Sequence, residues 1–350
     1  MSQEVWRERD TTPSKVEAAL RHLLIERYHD EDAFVPARVL NLVVVADAEF
    51  RGEVENRLER VGRYHPSRLV LCSVEPGHKT IDAWCSVSAE QAEGPFSLGR
   101  ETVELKLGDR HLKALDTIVD PLLVPDLATL VWAPHGHAEA VDALRRLMQV
   151  VLVDSQDEQE LPAALARSGE LLETAYVVDL AWLRSTPWRE RVAAAFDPPP
   201  QRRELAEIAG VTVRHRADSA AAAVLYCGWL CSRLGWRPGS LSDGGSSRRT
   251  GHARARRGEV TLRLDEVEQP GAPGLAGVTI ETASGWSFSL DRGPGGLKSI
   301  RRARDGSEQV WTVLGASRGE AGILGEGVRQ ALLRDPTYKP ALAAARAMVA

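Results

Sequence analysis

Apolar residues recur along the first half of the chain with the spacings of helices and of buried strands. Residues 13–28 place an apolar residue every three or four positions, as one face of a helix does. The β-branched run at 38–46 and the run at 67–74 are separated by a helical pattern, so they predict a parallel βαβ unit. Further strands are predicted at 81–88, 102–107, 128–132 and 150–153, with helices at 110–122 and 137–148. The first half is therefore predicted to be a mixed, mostly parallel sheet with an antiparallel insertion.

The second half has shorter apolar runs and more turn residues. Residues 211–215 predict a strand, and residues 219–234 are apolar on nearly all sides, which is typical of a buried helix. Five short runs with turn signals between them predict an antiparallel meander, at 260–264, 278–282, 286–290, 298–302 and 310–314. Two helices are predicted to close the chain, at 318–333 and 340–349.

These patterns predict an α/β protein of two domains. Residues 1–175 are interpreted as an N-terminal α/β domain with a leading helix. Residues 176–350 are interpreted as a C-terminal α+β domain that contains the antiparallel meander. Within it, residues 238–258 are rich in Gly, Ser and Arg, a composition that predicts a flexible insertion.

Composition narrows the class of protein. Of the 350 residues, 43% are hydrophobic and 27% are charged, which is ordinary for a globular chain. The first ten residues are charged and lack the apolar centre of a signal peptide, and no apolar run reaches 18 residues. We therefore expect a cytoplasmic protein without a membrane span. A net charge of −5 disfavours a general nucleic-acid binder.

The stretch DLAWLRSTPWRER, residues 179–191, concentrates tryptophan and arginine at a predicted bend between two helices. Asp179 is positioned to cap the first helix, and Pro187 ends that helix and starts the second. Two interpretations stay open. The indoles could be packing anchors of a core bend, or the stretch could be a contact surface, because Trp and Arg dominate binding hot spots.

The sequence gives little support for a site that binds a nucleotide or a phosphate group. The turn after the first parallel strand, residues 46–50, has no glycine and carries a carboxylate that would repel a pyrophosphate. Arg63, His65 and Arg68 form the most phosphate-like cluster, but they precede a strand, whereas ligands of open α/β sheets bind at carboxyl ends. His135 does follow a strand and could face a crevice. The sequence predicts no cofactor and no catalytic centre.

Two further groups of residues each have more than one possible role. Cys227 and Cys231 lie one turn apart on the apolar helix, where a role as small buried residues is favoured over a metal or redox site. No metal site is predicted. The arginine cluster at 248–257 fits a solvated linker, with an acidic or phosphorylated partner, or a nucleic acid, as the alternative.

The tryptophan-rich bend also resembles the signature of the glucose-6-phosphate dehydrogenase assembly protein family, known as OpcA. Other segments resemble the family in the same order, at 42–45, 63–68, 130–135 and 228–236. The resemblance implies a non-catalytic partner of glucose-6-phosphate dehydrogenase that assists its assembly or activates it allosterically. Such a partner would support NADPH production in the oxidative pentose phosphate pathway.

On this interpretation the predicted partner is the dehydrogenase, with no nucleic acid and no membrane. The partner-contact candidates are Trp182, Arg184, Trp188 and Arg189, followed by Arg63, His65 and Arg68. The rival hypothesis is an enzyme or sensor that binds a sugar phosphate in the crevice near His135.

Overall fold

A computed structural model describes residues 4–30, 34–35, 38–62, 66–91, 97–158, 160–245, 247–268, 273–314 and 319–350. Contacts group the chain into two compact units. The first comprises residues 1–153, 174–178 and 324–333, and the second comprises residues 154–173, 179–323 and 334–350. The predicted domain boundary at 175 stays a prediction, because compact units do not show that either part folds alone.

The first unit is built on a nine-stranded sheet. Its strands are β1 (Glu4–Glu8), β2 (Phe34–Val35), β3 (Leu40–Asp47), β4 (Ser67–Val74), β5 (Asp82–Gln91), β6 (Ser97–Leu107), β7 (Thr129–Trp132), β8 (Val150–Val153) and β9 (Tyr176–Asp179). Its α-helices are α1 (Pro13–Asp30), α2 (Arg51–Gly62), α3 (Leu115–Val119) and α4 (Ala138–Ala143). The predicted helices at 110–122 and 137–148 are divided into short α and 3₁₀ segments. Strand β1 was not predicted.

The order of strands in this sheet is β1-β5-β6-β4-β3-β7-β8-β9, and β2 pairs with β6. Strands β6, β4, β3, β7 and β8 run parallel to their neighbours in that series, while β5 and β1 add antiparallel pairs at one edge. Numbered along the chain, the six strands from β6 to β9 follow the order 3-2-1-4-5-6 of doubly wound dinucleotide-binding sheets. The order reverses between β3 and β7, which makes that point the expected ligand crevice.

Strand β3 shows why this sheet forms where the sequence predicts it. Its residues are buried along seven of eight positions, which suits a central parallel strand covered on both faces. The one buried polar residue within it, Asn41, is fully enclosed. Its amide donates to the Val124 carbonyl at 3.1 Å and accepts from the Val124 N–H at 2.9 Å. A buried polar side chain is therefore tolerated because its hydrogen bonds are made inside the protein.

The second unit contains the other nine-stranded sheet. Its strands are β10 (Ile208–His215), β11 (Arg237–Pro238), β12 (Ser242–Asp243), β13 (Arg248–Arg254), β14 (Glu259–Glu266), β15 (Leu275–Thr282), β16 (Ser287–Gly293), β17 (Gly296–Arg302) and β18 (Glu308–Leu314). Its helices are α5 (Leu161–Leu171), α6 (Leu180–Arg184), α7 (Thr186–Ala195), α8 (Pro199–Arg202), α9 (Ala220–Leu234) and α11 (Tyr338–Val349). Helix α10 (Gly319–Leu333) contributes residues to both units.

Strand β10 interrupts the predicted meander. The order is β11-β13-β14-β10-β15-β16-β17-β18, and β12 pairs with β13. β10 runs parallel to β14 and antiparallel to β15, so those two strands are not neighbours. The remaining pairs are antiparallel, as predicted. The chain is thus confirmed as a two-part α/β protein with one sheet rich in parallel pairs and one rich in antiparallel pairs.

Residues 238–258, for which the sequence predicts a flexible insertion, contain strands β12 and β13. The flexibility of the segment stays a prediction. Arg248–Arg254 forms strand β13, which pairs with β14 along its whole length. Gly251 and Ala253 are buried whereas His252 and Arg254 beside them are exposed, so the segment follows the period of a half-buried strand despite its composition. Arg248, Arg249 and Arg254 of the cluster therefore lie in a strand near one end of the sheet, whereas Arg256 and Arg257 lie in the bend that follows it.

Helix α9 is buried as predicted and packs closely against α11. A side-chain carbon added to Gly228 would lie 2.2 Å from the Ala341 carbonyl oxygen, so only glycine permits this approach. The helix ends at Gly235, whose left-handed backbone lets its N–H bond the Cys231 carbonyl. Within the described ranges, no helix combines the length and the apolar character needed to cross a bilayer.

Candidate functional site

The tryptophan-rich bend begins at a fully buried carboxylate. Asp179 caps α6 by accepting the Ala181 N–H at 2.9 Å, as the sequence predicts. It also accepts the Ser155 hydroxyl at 2.6 Å and the Tyr338 hydroxyl at 3.0 Å. Burial raises the pKa of Asp179, and the nearby charge of Asp154 adds to the rise, while the bonds from Ser155 and Tyr338 oppose it. The carboxylate therefore ties α6 to two other parts of the second unit.

Trp182 and Arg189 form one packed cluster in this bend. The Arg189 guanidinium carbon lies 3.4 Å from the centroid of the Trp182 ring, and Arg189 donates to the Trp182 carbonyl at 2.7 Å. The Trp182 indole N–H donates to Asp335 at 2.9 Å. Burial lowers the pKa of Arg189 to about 10, although the charge of Asp335 favours the protonated form. The arginine stays charged at neutral pH because its partners replace the water it has lost.

The other two contact candidates of the bend are also enclosed. Arg184 makes a two-point ion pair with Asp154, with nitrogen–oxygen distances of 2.9 and 2.7 Å, and its side chain is 7% exposed. Trp188 and Trp182 are each 2% exposed. The interpretation of the bend as packing therefore describes how these side chains lie in the folded chain. Contact with a partner through them stays a prediction.

The second predicted cluster is only partly described. Arg63 and His65 lie outside the described residues. Arg68 donates from Nε to Glu101 at 2.7 Å and from another nitrogen to the Leu122 carbonyl at 3.1 Å. Glu101 is buried and is shared with Arg38. Arg68 thus neutralises an internal carboxylate, and its use as a partner contact stays a prediction.

The crevice between the carboxyl ends of β3 and β7 contains two pairs of the chain's own side chains. The His137 Nε2 lies 3.1 Å from the Asp47 carboxylate, and the His135 ring stacks on Phe50 with centroids 4.4 Å apart. Both histidines adopt left-handed backbone conformations, with φ of 66° and 56° for His135 and His137. Such strained residues often occur at functional turns.

This crevice differs from a dinucleotide site in two respects. The turn after β3 is a 3₁₀ segment (Ala48–Phe50) without glycine, whereas a dinucleotide site relies on glycines that let the backbone approach the pyrophosphate closely. Asp47 and Glu53 place carboxylates there, with Glu53 4.0 Å from His135. Within the described ranges, no three side chains of metal-binding type converge on one point. The geometry therefore disfavours a phosphate-bearing ligand at His135.

The cysteines of α9 are buried and not paired to each other. Burial raises the pKa of the Cys231 thiol to about 12 and raises that of Cys227 further, so neither is a reactive thiolate at neutral pH. The burial of both thiols agrees with the favoured interpretation of Cys227 and Cys231 as small buried residues.

Comparison with known families shows the family to which this chain belongs. Residues 58–170 match the family model described as the N-terminal domain of a glucose-6-phosphate dehydrogenase subunit, and residues 175–342 match its C-terminal domain. The chain belongs to the OpcA family. This OpcA chain is 31% identical over 204 residues to the OxPP cycle protein OpcA of Synechococcus elongatus, which covers 55% of this chain and 45% of the relative. It is 34% identical over 189 residues to the OpcA of Nostoc punctiforme, covering 51% and 40%.

The OpcA chain therefore spans less than half the length of the curated relatives it matches. Among solved structures, it resembles an oxidoreductase from Sinorhizobium meliloti with a TM-score of 0.50 at 12% identity, covering 88% of this chain and 95% of that one. At this identity the likeness concerns the fold alone.

Sequence reasoning missed two residues of the OpcA bend. Asp335 and Tyr338 come from the segment at the start of α11, more than 150 positions beyond Trp182 and Asp179, to which they are hydrogen-bonded. Neither belongs to a local motif that marks it. The one usable signal is that buried Trp and Asp side chains require hydrogen-bond partners from somewhere in the fold.

Proposed function

We propose that this chain is a non-catalytic partner of glucose-6-phosphate dehydrogenase that binds the folded enzyme and shifts it towards a more active state. In this role it supports NADPH production in the oxidative pentose phosphate pathway. The observation that carries the proposal is the match of both halves of the chain to domains described as parts of a dehydrogenase subunit. The predictions of assembly and of a cytoplasmic location stay predictions.

The crevice of the first unit supports a role without nucleotide chemistry. A dehydrogenase needs a close backbone approach to the cofactor's pyrophosphate, and here Asp47 and Phe50 stand in that turn. The sheet is therefore suited to serve as a scaffold. An activator of this kind must bind the active state better than the inactive one, by about 1.4 kcal/mol for each tenfold shift.

The experiment measures dehydrogenase activity against glucose 6-phosphate concentration, with increasing amounts of this chain. A fall in apparent KM or a rise in kcat that saturates at a fixed molar ratio is the expected result. The matched control is the chain alone with glucose 6-phosphate and NADP⁺, for which we expect neither turnover nor saturable binding. Turnover by the chain alone, or an unchanged dehydrogenase together with no complex on size-exclusion chromatography, would contradict the proposal.

A further inference from the structure

Strand β18 is the outermost strand of the second sheet and has an apolar free edge. Val310 is 56% exposed, Trp311 39% and Leu314 74%, although a strand of this composition is usually covered. The Trp311 ring reaches the buried Phe288 at a centroid distance of 6.1 Å on one face of the sheet. Among the described residues, no strand pairs with the outer side of β18.

The backbone groups on that outer side can be identified from the hairpin before it. Ala303 donates its N–H to the Ser307 carbonyl at 2.8 Å, so these two residues form a hydrogen-bonded pair. Hydrogen-bonded and non-bonded pairs alternate along an antiparallel ladder. The N–H and C=O groups of Val310, Thr312 and Leu314 therefore point away from β17, towards the free edge.

Two other ends of the sheets carry the usual protection against pairing, at β13 and at β1. At the opposite end of the same sheet, β13 carries Arg248, Arg249 and Arg254 and is flanked by two-residue strands. The edge strand β1 is five residues long and carries Glu4, Arg7 and Glu8. Charges and short strands are devices that prevent edge-to-edge association. β18 has one charged residue, Glu308, which is already paired with Arg302.

We propose that β18 pairs with β18 of a second copy of this chain, in antiparallel orientation about a twofold axis at Trp311. In this register Val310 lies opposite Thr312 of the second copy, and Glu308 lies opposite Leu314. The outward N–H and C=O groups of one strand then face the outward groups of the other. With two hydrogen bonds for each bonded pair, this gives about eight inter-strand hydrogen bonds.

The chemistry of the strand favours a second copy over another partner. The register places no like charges opposite each other, which would be destabilising. It brings the two Trp311 side chains together as a non-hydrogen-bonded pair, the closest kind of cross-strand pair, with Cα atoms about 4.5 Å apart. The same surface patch serves both copies, as a twofold interface requires. Because the interface is one strand wide, we expect the dimer to depend on concentration.

The first test uses sedimentation velocity over a range of concentrations. The wild-type chain should move from monomer to dimer, and Thr312→Pro should raise the dimer dissociation constant at least tenfold. Proline at 312 removes an N–H that points away from β17, so the ladder within the chain is kept. Thr312→Val, which keeps the N–H and the branched side chain, should dimerise like the wild type. A common thermal unfolding midpoint shows that the variants are folded.

The second test reads the register directly. Under mild oxidation Trp311→Cys should form a disulfide-linked dimer, because its counterpart lies within the range for a disulfide. Val313→Cys should not, because its counterpart lies about 13 Å away, four residues along the strand. A wild-type chain that is monomeric at every concentration, or a failure of Trp311→Cys to cross-link, would overturn the proposal. The proposal would also be overturned if the wild type is monomeric and Thr312→Pro no longer forms a complex with the dehydrogenase, since β18 would then contact the enzyme.

Discussion

The indole of Trp182 offers the sharpest test of whether the bend is core or contact surface. Trp182→Phe keeps an aromatic ring against Arg189 and Tyr338 but removes the N–H that donates to Asp335 at 2.9 Å. A hydrogen bond to a charged group contributes about 1.5–3 kcal/mol. The smaller ring adds about 1 kcal/mol for the void it leaves at a side chain that is 2% exposed. We therefore expect the free energy of unfolding to fall by about 2.5–4 kcal/mol.

The assay is equilibrium unfolding in urea, with Asp335→Asn and the double variant completing a cycle. An asparagine can offer its one oxygen to Thr337 or to Trp182, whereas the carboxylate serves both. We expect a coupling free energy of about 1–2 kcal/mol between the two positions. Trp311→Phe, at an exposed site and at a concentration where the chain is monomeric, is the control and should change stability by less than about 0.5 kcal/mol.

The same variants decide between the two interpretations of the bend. If Trp182 is core, Trp182→Phe lowers stability and leaves dehydrogenase affinity unchanged while the chain is folded. A loss of less than about 0.5 kcal/mol with no coupling to Asp335 would refute the reasoning. A folded variant of normal stability whose affinity for the dehydrogenase falls tenfold or more would establish the contact interpretation.

Three further outcomes follow from the geometry. The pKa of Asp335 is lowered, because hydrogen bonds from Thr337 and Trp182 and the charge of Arg189 outweigh the effect of burial. The ionised Asp335 therefore stabilises the fold above its pKa in the unfolded chain, about 3.9, and this contribution is lost as pH falls through its lower pKa in the folded chain. The stability difference between wild type and Asp335→Asn, measured by urea midpoints at several pH values, should therefore shrink below pH 4; a constant difference would count against this. Gly228→Ala should lower the free energy of unfolding by about 1–3 kcal/mol through its clash with Ala341, whereas Gly52→Ala, with open space around it, should raise it by about 0.5 kcal/mol. All four cysteines are buried, so a thiol reagent at pH 8 should label the native chain at the rate of its opening and the urea-unfolded chain at once; rapid native labelling would show that a thiol is accessible.

The sequence revealed those features that depend on neighbours along the chain. The strand at β3, the cap at Asp179 and the buried helix α9 were predicted because each follows from a local pattern of apolar residues and capping chemistry. The strand β13 was not predicted because the Gly, Ser and Arg content of residues 238–258 suggested a linker, and the alternation within the strand is short. Local composition indicates how an isolated segment behaves, whereas this segment forms a strand because it pairs with β14.

Features set by distant pairing could not be predicted in this way. Nothing in residues 208–215 marks them as the central strand between β14 and β15, because an apolar strand fits many positions in a sheet. The candidate site shows the same limit. The bend was recognised from its tryptophans, but its enclosure depends on Asp335 and Tyr338, which arrive from the far end of the chain.

The central position of β10 also has a consequence for the order of folding. Its ladder partners β14 and β15 begin about 50 and 65 residues later, so during synthesis β10 emerges well before either edge can be completed. Closing such long loops precedes the gain from pairing, which slows folding and leaves strands unpaired for longer. The second sheet should therefore assemble only after residue 282 has left the ribosome. Until then, an apolar strand with two open sides is the part of the nascent chain that most needs protection from aggregation.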